Sequence, residues 1–168
     1  MEAQSNIGEG ALKERHVGQP IKRSTSPCPI YLFRPAWRWS HKEIALIQRE
    51  LVGSVLHVPC GTSDVGDVTV DICTQADVRA DFNQLPFRSK SFDTVLSDPP
   101  WINPKNWDMR WTNELGRIAK KKIVVRSGSF FYTIARPWKL KRSWFVVKHG
   151  TSVINMWYVW ELEDSTLS

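Results

Sequence analysis

Asp98-Pro99-Pro100-Trp101 is the segment of this chain whose residue types are best suited to chemistry. An amine conjugated to a ring is a poor nucleophile, because its lone pair is delocalised. To react, its nitrogen must become tetrahedral. A carboxylate and a backbone carbonyl, each accepting one N–H bond, favour that geometry and the positive charge that develops. Two prolines fix φ and donate no N–H, so such a loop is stiff and its carbonyls are aimed. Trp101 could stack on a flat ring, worth about 1–3 kcal/mol per base. No general base with a tuned pKa is required, since the product ammonium is acidic. The bland alternative is a proline-rich turn ending a strand, with Trp101 in the core.

Three weaker candidates precede this loop. Pro59-Cys60-Gly61-Thr62-Ser63 is a small-residue loop that lets backbone N–H groups approach a ligand. A tight turn without a ligand reads the same way. Asp71 could accept both hydroxyls of a ribose or simply cap its own loop. Asp81 and Phe82 could read an adenine edge and cover its ring.

The elements that must position these residues follow from patterning. Ser40 with Glu43 forms a capping box, Ile44, Ile47 and Leu51 repeat at helical spacing, and Gly53 stops the helix. Strands are expected at 55–58, 68–72, 77–81, 92–97 and 122–126, with a helix over 111–120. Residues 144–148 and 153–161 read as a hairpin around His149-Gly150-Thr151. Strands separated by crossovers imply an α/β fold with a mostly parallel sheet, and the hairpin adds an antiparallel C-terminal edge. In such sheets ligands bind outside the carboxyl ends of the strands, where the candidates fall.

The order of these residues resembles the class I S-adenosylmethionine-dependent methyltransferases. "VLHVPCGTS" is similar to that family's glycine-rich first motif, "VTVDI" to its acidic second motif, and "ADFNQLPFRSKSFDTVLSDPPW" to the segment leading to its catalytic loop. The resemblance covers roughly residues 40–161 and is most specific over residues 80–101. It implies a Rossmann-like methyltransferase fold with S-adenosylmethionine as cofactor. It also implies cofactor-binding roles for Pro59, Cys60, Gly61, Thr62, Ser63, Asp71, Asp81 and Phe82. The Asp98-Pro99-Pro100-Trp101 loop is similar to that of amino-methyltransferases, in its tryptophan version to the adenine-N6 enzymes. The implied reaction is methylation of an exocyclic nucleobase amine in DNA or RNA, most naturally adenine N6. The alternatives are a protein side-chain amide as acceptor, or a non-catalytic methyltransferase-like subunit that binds nucleic acid. The chain departs from the family at Pro59 and Ser63, where glycines are usual, and at His57, where an acid is common. So few residues separate Gly61 from Asp71 that a full crossover helix does not fit. A reduced fold is expected, with shortened helices after the first two strands.

Length and charge complete the expectation. The 168 residues suit one domain, placed at 30–168 after a polar, basic tail over 1–29. The tail is either disordered or an arm that orders on nucleic acid through Lys13, Arg15, Lys22 and Arg23. The net charge of +6 and the absence of any Asp or Glu between Leu115 and Trp160 suggest a phosphate-facing surface. Lys120, Lys121 and Lys122 belong to it. A target base must be single-stranded or flipped out, and Trp107 and Trp111 could then stack on it or pack in the core. No separate recognition domain is visible, so sequence choice is expected to be weak or supplied by a second subunit. The three cysteines form no zinc pattern, no metal is expected, and their odd count suits a reducing compartment. With no apolar run long enough to span a membrane, a cytoplasmic location is expected.

Overall fold

The structure, a computed structural model, describes residues 39–99, 110–127, 133–147 and 154–163. The expected tail over 1–29, and with it Pro100, Trp101 and Trp107, lie outside the described residues. The elements are α1 (His41–Gln48), β1 (Val55–His57), β2 (Val68–Asp71), β3 (Val78–Arg79), β4 (Phe92–Ser97), α2 (Arg110–Ile118), β5 (Ala119–Ser127), β6 (Trp138–Val147) and β7 (Ile154–Leu162). They build one seven-stranded sheet in the order β3-β2-β1-β4-β5-β7-β6. The first five strands in that order are parallel, and β7 and β6 join antiparallel. The expected α/β fold, mostly parallel with an antiparallel C-terminal hairpin, is therefore observed. The run 3-2-1-4-5 is the Rossmann order, whose direction reverses between β1 and β4.

The crossovers after the first two strands are reduced further than expected. Residues 58–67 and 72–77 hold no helix, yet β1 pairs parallel with β2 and β2 with β3. Residues 80–91, which follow β3, stand in for a helix. They bury Leu85 and pack Phe82 and Phe87 against the core formed by Leu56, Val95, Trp111, Leu115 and Ile123. Trp111 is thus a core residue of the α2 face. The opposite face is covered by α1, with Ile47 buried against Val55, Leu96, Val124 and Trp157. Among the described residues no helix is long and apolar enough to cross a membrane.

Local chemistry explains the start of α1. Ser40 accepts from the Glu43 N–H at 3.2 Å, and the Glu43 carboxylate accepts from the Ser40 N–H at 2.9 Å. The helix ends at Gln48, a turn before Gly53. Gly53 serves a different need, since it holds φ +59° where an added Cβ would lie 2.3 Å from Asp93 Oδ2. That carboxylate accepts from the Ser54 N–H at 3.0 Å and pairs with Lys121 at 2.9 Å. Gly53→Ala is therefore expected to lose about 2–3 kcal/mol, from left-handed strain and the forced displacement of Asp93. Urea denaturation measures it.

Candidate functional site at the strand carboxyl ends

The carboxyl ends of β1 and β4 lie side by side, because His57 pairs with Leu96. Asp98 and Pro99 follow β4 at once. The Asp98 carboxylate is held from two sides. Arg126 Nη1 straddles it, at 3.0 Å from Oδ1 and 2.9 Å from Oδ2, and the Trp39 indole N–H donates to Oδ2 at 2.8 Å. Burial pushes the Asp98 pKa above the usual carboxylate value, while Arg126 and the Trp39 indole support the charged form. A carboxylate has about four acceptor positions. Three contacts from the described residues leave one, on Oδ1, and the side chain as a whole is 18% exposed.

Register explains the pairing. Ser97 lies opposite Val125, so the next residues, Asp98 and Arg126, are neighbours on the α1 side. Arg126 Nη2 donates to Asn155 Oδ1 at 2.6 Å, and Asn155 Nδ2 donates to Glu43 Oε1 at 2.9 Å. Burial opposes the Glu43 charge, yet hydrogen bonds from the Ser40 N–H, Asn155 and the Ser40 hydroxyl hold its pKa below the usual value. Sequence reading gave Glu43 only its cap, placed Arg126 in the phosphate-facing run, and passed over Asn155. One signal was available: Arg126 shares the inward face of β5 with Val124, and a buried cation needs a buried anion.

Beneath Trp39 lies His57, completely buried, with ring centroids 5.1 Å apart. Its Nδ1–H donates to the Val65 carbonyl at 3.0 Å, and Nε2 finds no partner among the described residues. Burial lowers its pKa to about 4. Trp39 itself meets Trp157 edge-on, so it packs in the core as well as bonding Asp98.

The loop after β1 is built around Asp71, at the end of β2. Asp71 Oδ2 accepts from the Gly61 N–H at 2.9 Å, and Oδ1 accepts from the N–H groups of Cys73 and Thr74 at 2.7 and 2.9 Å. The Cys60 N–H bonds the Val70 carbonyl and the Ser63 N–H bonds the Cys60 carbonyl. Most of the loop's donors are thus spent internally. Asp71 keeps one acceptor position among the described residues, room for one ribose hydroxyl rather than the two expected. Gly61 holds φ +57°, and an added Cβ there would meet nothing within 4 Å, so a ligand can approach its backbone closely. Pro59 follows a cis bond, and Thr62 is exposed beside Gly61. Cys60 is a free, buried thiol.

Asp81 lies two residues past β3 rather than at its end. Its Oδ1 accepts from the Asn83 N–H and side-chain amide, at 2.9 and 3.1 Å. Phe82 packs toward Trp111 with ring centroids 6.1 Å apart.

The lysine cluster is not brought to this site. Lys120, Lys121 and Lys122 begin β5, at the amino end of the parallel strands, while Asp98 lies beyond their carboxyl end. At about 3.3 Å per residue, Lys120 is roughly 20 Å along the strand from Arg126. Lys122 is turned inward, 3.2 Å from Glu50 and 3.4 Å from Glu161, and Arg142 joins the same carboxylates. Arg117 bonds Glu114, and Lys139 pairs with Glu163. Lys122 and Arg142 of the acid-free run therefore meet acids from distant parts of the chain, while Arg117 meets one in its own helix. Lys120 remains exposed.

No protein-family model matches the chain, and no curated protein matches it. Among solved structures, it is similar to a SAM dependent methyltransferase from Aquifex aeolicus, at 12% identity and a TM-score of 0.49, covering 82% of this chain and 94% of that one. It is also similar to a Haemophilus influenzae protein named as a methylase, at 15% identity and a TM-score of 0.42, covering 73% of this chain and 87% of that one. Both likenesses are distant.

Proposed function

We propose that the chain is an S-adenosylmethionine-dependent methyltransferase acting on an exocyclic nucleobase amine in DNA or RNA, with adenine N6 as the acceptor. The observation that carries this reading is the place of Asp98. It is a carboxylate with one acceptor position open among the described residues, just past β4, at the point where the strand order reverses. When bound, S-adenosylmethionine supplies an electrophilic methyl group. Gly61 admits it to the loop backbone, Asp71 accepts one ribose hydroxyl, and Asp81, whose second oxygen has no partner among the described residues, meets the adenine edge. Asp98 Oδ1 accepts an N–H of the substrate amine, and the Pro99 carbonyl is suited to the second. Trp101 is assigned to stacking on the base.

A non-catalytic subunit is the second reading, and one observation favours it. Most donors of the β1 loop and most acceptor positions of Asp71 and Asp98 are already engaged. Calorimetric titration with S-adenosylhomocysteine, the demethylated cofactor, separates the two. Wild type should bind, and Gly61→Val should lose most of that affinity, because its side chain fills the approach. Absence of heat at millimolar ligand with folded protein would favour the second reading.

Nucleic acid as partner is supported by the net charge of +6. Its test must respect the pairing above. Lys120→Glu, at an exposed position, is the informative reversal, whereas Lys122→Glu would crowd three carboxylates. Lys120→Glu should weaken binding to all sequences alike and lower the salt slope by about one. An unchanged slope would remove Lys120 from the interface.

A further inference from the structure

We infer that Arg126 is the positioning residue of the catalytic loop, clamping Asp98 so that Oδ1 alone is left to receive the substrate amine, with Asn155 and Glu43 holding Arg126 in turn. This rests on the proposed reaction, since it says how that reaction's acceptor is aimed. The geometry is specific. One guanidinium nitrogen spans both Asp98 oxygens, and the other terminal nitrogen bonds Asn155 at 2.6 Å. Asn155 passes the restraint to Glu43 at 2.9 Å, and Glu43 is locked at the start of α1 by its capping box. Trp39 closes the other side, occupying Oδ2. Four elements from distant parts of the chain, α1 with the residues leading into it, β4, β5 and β7, thus converge on one carboxylate. Arg126 and Asn155 are both buried, at 5% and 3% exposure, so neither is placed to touch a nucleobase stacked outside the strand ends. Among the described residues, the contact that links them to the proposed reaction is the one to Asp98.

A buried guanidinium is an expensive way to build a core, because hydrophobic residues of the same volume pack there at lower cost. A buried cation that grips the one carboxylate placed for chemistry is accounted for by aim. Without it the Asp98 side chain gains rotamer freedom. A displacement of about 1 Å in a reacting group can cost about 10²-fold in rate.

The experiment is a double-mutant cycle on kcat, using labelled S-adenosylmethionine and the nucleic-acid pool that accepts the methyl group. The variants are Asp98→Asn, Arg126→Met, their combination, and Arg126→Lys. Arg126→Met should lower kcat by about 10²-fold while leaving the KM for cofactor nearly unchanged. In the Asp98→Asn background the same change should cost almost nothing, since the group it acts through is already gone. Arg126→Lys should recover part of the loss, because an ammonium reaches Asp98 but cannot also hold Asn155. An equal loss in both backgrounds, or an unchanged kcat in Arg126→Met, overturns the inference. Should Arg126→Met not fold, Asn155→Leu leaves the Arg126–Asp98 pair and removes the link from Arg126 to Glu43. A fall in kcat at an unchanged thermal midpoint then supports the clamp, and an unchanged kcat overturns it. If folded wild type methylates no pool, the proposed reaction fails separately. The clamp is then read from the Asp98 carboxyl carbon by NMR titration of wild type and Arg126→Lys. An altered Asp98 titration supports it, and superimposable curves overturn it.

Discussion

Asp98→Ala is expected to lose both methyl transfer and about 3 kcal/mol of stability. The second loss does not follow from a picture of Asp98 as an exposed loop residue. It follows from the ion pair: removing the carboxylate leaves the Arg126 guanidinium buried and uncompensated, a change that costs about 3–5 kcal/mol in buried pairs. The 18% exposure of the Asp98 side chain argues for the lower end of that range. Asp98→Ala therefore cannot separate catalysis from folding, and Asp98→Asn is the better probe. Its amide oxygen can occupy the Oδ2 position, accepting from Trp39 and Arg126. Its NH2 then points where Oδ1 was and meets a substrate N–H donor to donor. Asp98→Asn should keep most of the stability and lose about 10²–10³-fold in rate. Thermal denaturation and single-turnover transfer on both variants check the pair of expectations. The pH profile adds a sign. The proposed reaction needs the carboxylate ionised, so kcat should fall on the acid side through a pKa above the usual carboxylate value, and that limb should be absent in Asp98→Asn.

The second large effect is acid destabilisation through His57. Its folded pKa, lowered by burial to about 4, lies below its ordinary value of 6.5. The unfolded chain therefore takes up a proton that the folded chain excludes. Stability is full above about pH 6.5 and is lost as pH falls toward 4, at up to about 1.4 kcal/mol per pH unit and about 3 kcal/mol in all. Asp98 cannot be the source, since a raised carboxyl pKa favours the folded state as pH falls. Chemical denaturation at pH 7.5, 5.5 and 4.5 tests this, with His57→Gln as control. The amide can still donate toward the Val65 carbonyl but does not titrate, so its stability should be nearly flat from pH 7.5 to 5.5, and at pH 4.5 it should show only the loss from carboxylates such as Glu43, whose folded pKa is depressed. A wild-type curve as flat as the variant's would mean that the ring is not buried neutral.

How legible the molecule was in its sequence depends on whether the signal is local. The β4 strand and its following loop could be read because Phe92-Asp93-Thr94-Val95-Leu96-Ser97 is a short apolar run ended by Asp98-Pro99. The Ser40–Glu43 box could be read because both partners lie in one turn. β6 was underestimated by several residues at its start, since the alternation begun by Trp138 and Leu140 breaks at Arg142, where this edge strand shifts register against β7. The acid-free run misled for a related reason. Lys122 is far in sequence from Glu50, and Arg126 from Asp98, yet parallel pairing and the packing of α1 make them neighbours. Charge balance along a chain says little about charge balance across a sheet. Asp71 shows the limit from the other side. Its place at a strand end was foreseen, but not that backbone N–H groups of the following turn would occupy one of its oxygens.

The measurement closest to the central claim is transfer of a labelled methyl group from S-adenosylmethionine to separate pools of DNA, RNA and protein, followed by nucleoside and amino-acid analysis. It should be run with wild type and Asp98→Asn at matched stability. Label is expected in a nucleic-acid pool, recovered as N6-methyladenine, with the rate falling about 10²–10³-fold in Asp98→Asn. Label recovered only from protein, or transfer undiminished in Asp98→Asn, would contradict it.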